Sequence, residues 1–215
     1  MKDISYKYYY WGPFLYHCQI TPDECKMLLK EGKKCRKKSN DYRSRLAGHL
    51  SEEYRLDDKV AISKWFKKYI QIYTKGYKQW RGREYKPLNN LRAQDFWINY
   101  MKSNDFNPPH DHSGDLSFVI YPHVPKEIDK ENKNFKCSGA GPGSIQFLYG
   151  QGDHQYIDTV DMMPKTGDIF IFPASLKHWV FPFRSKVERI SVSGNIKFNT
   201  EHGDSWRPIK DLKCK

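Results

Sequence analysis

The chain has 215 residues, 15% of them aromatic, with 37 Lys and Arg against 25 Asp and Glu, a formal charge of +12. That length suits one domain with a sizeable core, and no run approaches the roughly eighteen apolar residues of a membrane span. The basic field favours acidic partners, but lysine-rich composition serves solubility equally, and without a base-reading motif nucleic acid is not the favoured partner.

Met1 to Lys7 lacks the apolar segment of a secretory signal. The five cysteines (Cys18, Cys25, Cys35, Cys137, Cys214) are odd in number and form no Cys-x-x-Cys pair. A reduced, cytoplasmic chain is the expectation. Tyr6 to Gly12 is aromatic enough for a strand or extended arm. Thr21-Pro22-Asp23-Glu24 is a capping box with Pro at the first helical position, so a helix runs from there to about Gly32. Lys33 to Lys38 reads as a solvated charged loop. Asp41 to Arg55 reads as an irregular connection in which Leu46 to Leu50 dips into an apolar region and His49 is structural. Val60, Ile62, Trp65, Phe66, Tyr69, Ile70 and Tyr73 recur every three or four residues. They predict the longest helix, from about Asp58 to Tyr77, with an apolar face laid on a sheet.

After Pro87 the pattern changes to short alternating runs separated by Gly, Pro, Asn and Asp. Strands are expected over Phe96 to Met101, Leu116 to Tyr121, Ser144 to Tyr149, Tyr156 to Val160, Asp168 to Phe172, Trp179 to Phe183 and Arg189 to Phe198. Many short strands point to a mainly β sandwich or barrel with N-terminal helices in support. The polar segment Pro125 to Gly143 reads as a mobile lid. The expected organisation is a single domain over 1–215, with 1–90 a helical support region, 91–200 the β core and 201–215 a tail.

The chemistry concentrates in Asn107-Pro-Pro-His-Asp-His-Ser-Gly-Asp115 and Phe172-Pro-Ala-Ser-Leu-Lys-His178. His110 and His112, two apart, share a face if the segment is extended, and Asp111 takes the other. His178 is the natural third ligand. Three protein ligands leave positions open on an ion, as a catalytic metal requires, and imidazole suits iron or zinc. Farther on, Arg189, Ser191, Ser193 and Asn195 alternate with Ile190 and Val192. An inward arginine implies an anion, and a carboxylate matches its fork. Metal and carboxylate clamp together suggest a small keto acid.

With these pieces in place the sequence resembles the 2-oxoglutarate/Fe(II)-dependent oxygenases, and among them the prolyl-hydroxylase-like branch. The resemblance rests on Tyr100 to Pro109 followed by His110-x-His112, on Leu116 to Tyr121, on Met163 to His178 and on Arg189-x-Ser191. It spans Phe96 to Ile196 and is closest to the bacterial and tailed-phage members, which would act in a bacterial cytoplasm.

The resemblance implies a double-stranded β-helix (jelly-roll, cupin-like) core. It implies Fe(II) at His110, His112 and His178. Arg189 and Ser191 would hold the far carboxylate of 2-oxoglutarate, Tyr100 would add a hydroxyl, and Asn195 would lie near the metal-bound end. The family pattern is His-x-Asp with a distal His, whereas His112 occupies the Asp position. Asp115 is the alternative carboxylate ligand. The implied reaction is hydroxylation of a protein or peptide side chain, proline first, with release of succinate and CO2. Oxidation of a nucleobase or small molecule is the second reading, and a non-catalytic cupin-like metal module, which would dispense with the arginine, is the third. Target residue and oligomeric state are not legible in the sequence.

Overall fold

Antiparallel pairing arranges the chain in two sheets. The computed structural model describes residues 4–10, 12–56, 64–81, 91–150 and 158–198. Its main sheet runs β1 (Tyr6–Tyr10), β2 (Phe14–Gln19), β9 (Asp168–Pro173), β6 (Leu116–His123), β11 (Arg189–Phe198), β4 (Leu91–Met101) and β3 (Glu52–Arg55). The smaller sheet runs β5 (Asn107–His110), β10 (Lys177–Val180), β7 (Ile145–Tyr149) and β8 (Asp158–Met162). Three helices accompany them among the described residues: α1 (Pro22–Cys35), α2 (Lys64–Arg81) and α3 (Lys126–Asn134).

The two-residue period of a strand divides the core in two. On β9, Ile169 and Ile171 face the helices while Phe170 and Phe172 face the second sheet; on β6, Phe118 and Ile120 divide from Val119 and Tyr121 in the same way. One core therefore fills the space between the main sheet and α1 and α2, and the other lies between the sheets with Ile145, Phe147 and Val180. This is the expected jelly-roll architecture with helices outside the larger sheet. Three strands from before residue 91 join that sheet, so the N-terminal region contributes more than helical support. No helix among the described residues is long and apolar enough to cross a membrane.

On α2, Phe66, Tyr69, Ile70 and Tyr73 are each at most 3% exposed, as their spacing predicts. Fully burying each such side chain stabilises by roughly 1.5–3 kcal/mol, an upper estimate that depends on the unfolded reference. Val60 and Ile62 of the expected stripe, Cys214, the start of the Tyr156–Val160 run and the tail lie outside the described residues.

Helix α1 has its capping box, with Glu24 N–H donating to Thr21 Oγ1 and Thr21 N–H to Glu24 Oε2. It continues past Gly32 to Cys35, because this glycine serves close packing and not termination. A Cβ there would overlap Ile98 Cδ1 and lie 2.7 Å from Tyr100 Oη. The charged run that follows is only partly solvated. Arg36 lies 4.1 Å over the Tyr100 ring and grips two carboxylates at once, donating to Glu52 (2.6 and 2.8 Å) and Glu188 (3.1 and 2.8 Å).

The expected lid is largely ordered structure. Within 125–143, α3 buries Ile128, and Glu131 accepts the backbone N–H groups of Arg184 and Ser185 at 2.8 Å each. Asn132 donates to Pro142 O at 2.9 Å. Sequence reading missed this helix because its one apolar anchor sits among Lys, Glu, Asp and Asn, a composition that polar loops share. The connection 41–55 also ends in an unforeseen strand, β3, which pairs with β4.

Candidate metal centre

β5 and β10 carry the centre. His110 and His178 are register partners across this antiparallel pair. His112 lies just beyond β5, where its N–H donates to Ala174 O at 2.9 Å. The three rings converge, with centroids 4.4 Å (110–178), 4.9 Å (110–112) and 5.0 Å (112–178) apart.

Hydrogen bonding fixes two of the tautomers. His110 Nδ1 is 2.7 Å from Pro108 O and His178 Nδ1 is 2.9 Å from Leu176 O. A carbonyl oxygen only accepts, so each Nδ1 carries the proton and each Nε2 keeps its lone pair. His112 Nε2 and His178 Nε2 are 3.2 Å apart. Two imidazole nitrogens each about 2.1 Å from one ion are separated by roughly 3 Å. All three ligating atoms lie within 4.8 Å of one another.

The surroundings keep the rings neutral. Phe172 and Phe147 flank His178 at 4.9 and 6.0 Å, and Trp97 stands 5.6 Å from His112. Burial, assisted by the charge of His110, pushes His112 down to about 3. His178 is held well below its ordinary value, by burial first and then by the other two histidines. Burial also lowers His110, against the opposing pull of Pro108 O and Asp111. Neutral imidazoles bind a cation without first releasing a proton.

Arg189 shares the pocket and is 2% exposed. Its guanidinium donates to Gly143 O at 2.6 Å, meets Met101 Sδ at 2.7 Å, and lies 5.3 Å from the Tyr121 ring centroid. None of these partners carries a negative charge, and Nε has no partner. Burial alone pulls its pKa below the usual arginine value, with Tyr121 opposing.

The family model described as "Putative 2OG-Fe(II) oxygenase" matches residues 95–195, which hold all three histidines and Arg189. Over that segment, a little under half of the chain, the sequence is similar to the 2-oxoglutarate/Fe(II)-dependent oxygenases. These are oxidoreductases whose cofactors are Fe(II) and 2-oxoglutarate. Several solved structures share the fold of this chain. A Pseudomonas putida prolyl-4-hydroxylase is 12% identical, with 86% of this chain and 93% of that one covered and a TM-score of 0.53. A viral collagen prolyl hydroxylase from Paramecium Bursaria Chlorella virus-1 is 14% identical, with 86% and 96% covered and a TM-score of 0.51. The epimerase SnoN from nogalamycin biosynthesis is 11% identical, with 91% of each chain covered and a TM-score of 0.54. At such identities the likeness is one of fold. The chain matches no curated protein sequence.

Two expected site residues stand elsewhere. Tyr100 does not reach the pocket: it belongs to the outer core, beneath Arg36. Residues opposite one another in an antiparallel pair share a face. Arg189, Ser191 and Ser193 pair with Met101, Asn99 and Trp97, so the inward residues of β4 are odd-numbered and Tyr100 points out. Asp115, the alternative carboxylate ligand, is exposed and outside the histidine cluster, because its backbone bonds to Ala174 and Ile196 turn the chain into β6.

Ser191 lines the pocket and accepts from Asn99 Nδ2 at 3.1 Å. Asn195 faces inward on the same strand and accepts from Ser117 Oγ at 2.8 Å, without lining the pocket. Three lining residues with side-chain carboxylate or carboxamide groups were not among the expected site residues: Asn99, Asn107 and Glu53. Strand alternation could have flagged Asn99, given the β4–β11 register. Glu53 had no signal, since its strand was read as irregular chain.

Proposed function

We propose that this chain is an Fe(II)- and 2-oxoglutarate-dependent dioxygenase that hydroxylates a protein or peptide side chain, with His110, His112 and His178 as Fe(II) ligands. Arg189 and Ser191 hold the far carboxylate of 2-oxoglutarate. The observation that carries this reading is a buried guanidinium with no anionic partner in one pocket with three neutral imidazoles. The residues fit both cofactors. Nitrogen donors suit a borderline divalent ion, and a buried arginine without a counter-charge suits a dianion. Prolyl peptides are the first substrates to test, because two proteins of similar fold are prolyl hydroxylases.

Fe(II) and 2-oxoglutarate, when bound, supply the oxidative decarboxylation that places one oxygen atom of O2 on the substrate and the other in succinate, with loss of CO2. The chain supplies position and environment. Pro108 O and Leu176 O keep His110 and His178 in the Nδ1–H form, aiming Nε2 inward. Arg189 orients the keto acid through a paired fork, and Phe147, Phe172 and Trp97 exclude water from the histidines. With three neutral ligands no ligand charge offsets the metal, so the dianionic cosubstrate does so.

Anaerobic titration of the Fe(II)-loaded protein with 2-oxoglutarate tests the cofactor reading. A visible metal-to-ligand charge-transfer band is expected, and its absence removes the reading. Succinate release across a peptide array tests the substrate class.

A further inference from the structure

The polar groups of the pocket are divided by sign. Ser191, Asn99 and Glu53 form one row across three neighbouring strands, β11, β4 and β3. Strands lie about 4.8 Å apart, so Glu53 is roughly 10 Å from the β11 wall that carries Arg189. Glu53 is 2% exposed, lines the pocket, and has no partner for Oε2. The nearby Arg43 does not neutralise it at close range, since its guanidinium is committed to Asp41 and Ser51 O. Asp105 adds further negative charge and is itself held by Ser51 and the Lys102 N–H.

Two more acceptors join Glu53. A Cβ on Gly48 would overlap Asn107 Oδ1 and lie 2.7 Å from Glu53 Oε1, so both oxygens face one spot over the Gly48 backbone. Asn107 Oδ1 and Asn99 Oδ1 are buried with no donor. An unpaired buried carboxylate costs several kcal/mol, and such groups concentrate where a ligand completes them. Dianionic 2-oxoglutarate is not that ligand, because Glu53 repels it.

We propose that Glu53, with the side-chain oxygens of Asn107 and Asn99, binds an ammonium or guanidinium group of the substrate. The side chain that enters is thus lysine-like or arginine-like, with its aliphatic stem crossing toward the three histidines, and not a neutral prolyl ring. The net charge of +12 does not prevent this. It acts at long range and is screened beyond about 8 Å at physiological salt, whereas the carboxylate acts in contact. The inference rests on the proposed oxygenase reaction for its product but not for its binding step.

Anaerobic calorimetry on the full chain with Fe(II) and 2-oxoglutarate tests it, using the N-acetyl methylamides of lysine, arginine, norleucine and proline. One of the basic amides is expected to bind at least about 10-fold more tightly than norleucine or proline, and E53Q to shrink that preference below about 3-fold. The same E53Q protein should bind 2-oxoglutarate at least as tightly as the native chain, which shows that the fold and the anion pole survive. N107A gives a second reading, with a smaller loss of preference. The proposal is overturned if basic amides show no preference or no binding up to about 10 mM, or if E53Q retains the preference. Succinate release separates the two readings. Turnover of the prolyl amide alone removes the cation subsite and leaves the oxygenase; tight basic-amide binding without any keto-acid binding does the reverse.

Discussion

His110 and His178 stand directly opposite each other across the β5–β10 pair, so two of the three converging imidazoles are set by sheet register and the third by a single loop hydrogen bond. Replacing any one of the three by alanine is expected to lower Fe(II) affinity by more than ~100-fold. D115N should leave it within about 3-fold. Anaerobic metal titration checks both, and a large loss in D115N would reinstate a carboxylate ligand.

Arg189 and Tyr100 should separate cleanly. R189A removes the buried guanidinium proposed to hold the keto acid and is expected to weaken 2-oxoglutarate binding by about 2–5 kcal/mol while sparing metal binding. Y100F, on the outer face, should leave 2-oxoglutarate binding unchanged. Equal loss of metal and keto acid in R189A would make the arginine a structural residue.

Glu53 ties stability to pH. Burial holds its carboxyl up at about 7 against an ordinary 4.5, with Asp105 and Asp41 pushing the same way and Arg43 opposing. The folded state therefore binds this proton more tightly than the unfolded chain does. Its contribution is fully present below the unfolded value and is lost as pH rises through about 7. At pH 8 the charged form costs on the order of 3 kcal/mol. E53Q should be more stable than the native chain by about that amount at pH 8, with the gain vanishing near pH 4. Urea unfolding at the two pH values decides it; an equal gain at both would remove ionisation as the cause.

Helix propensity and packing make opposite forecasts at Gly32. An exposed helical Gly→Ala gains about 1 kcal/mol, but here the new methyl meets Ile98 and Tyr100, both at most 2% exposed. Overpacking of that kind costs roughly 1–3 kcal/mol. G32A is thus expected to lower the denaturation midpoint, and a rise would mean that α1 can move off the sheet.

The residues that advertised themselves in the sequence were those whose chemistry is unusual for their setting. A His-x-His pair in extended chain, a distant His after an apolar run and an arginine in an alternating strand are each rare enough to mark a site. Periodicity likewise gave α2 and most of the strands. Register was not legible, because it depends on which strands meet. Tyr100 enters the site only through the family resemblance, and the β4–β11 register makes Asn99 the inward residue instead. Glu53 was hidden for the same reason: a glutamate in Glu52-Glu53-Tyr54-Arg55 looks solvated until β3 is known to pair with β4. Helix α3 was hidden because a single buried isoleucine gives no period.

The two carboxylates gripped by Arg36 are sequence neighbours of the two charged walls of the pocket. Glu52 precedes Glu53, and Glu188 precedes Arg189. Arg36 thus works as a calliper on the outside of the sheet, joining the backbones that present opposite charges within. The spacing of Glu53 and Arg189, set by the pairing of β3, β4 and β11, thus carries an additional clamp on its outer side. On the proposed assignment of Glu53 to a substrate cation and Arg189 to the keto acid, that clamp would make the pocket a fixed gauge for the length of the substrate's stem.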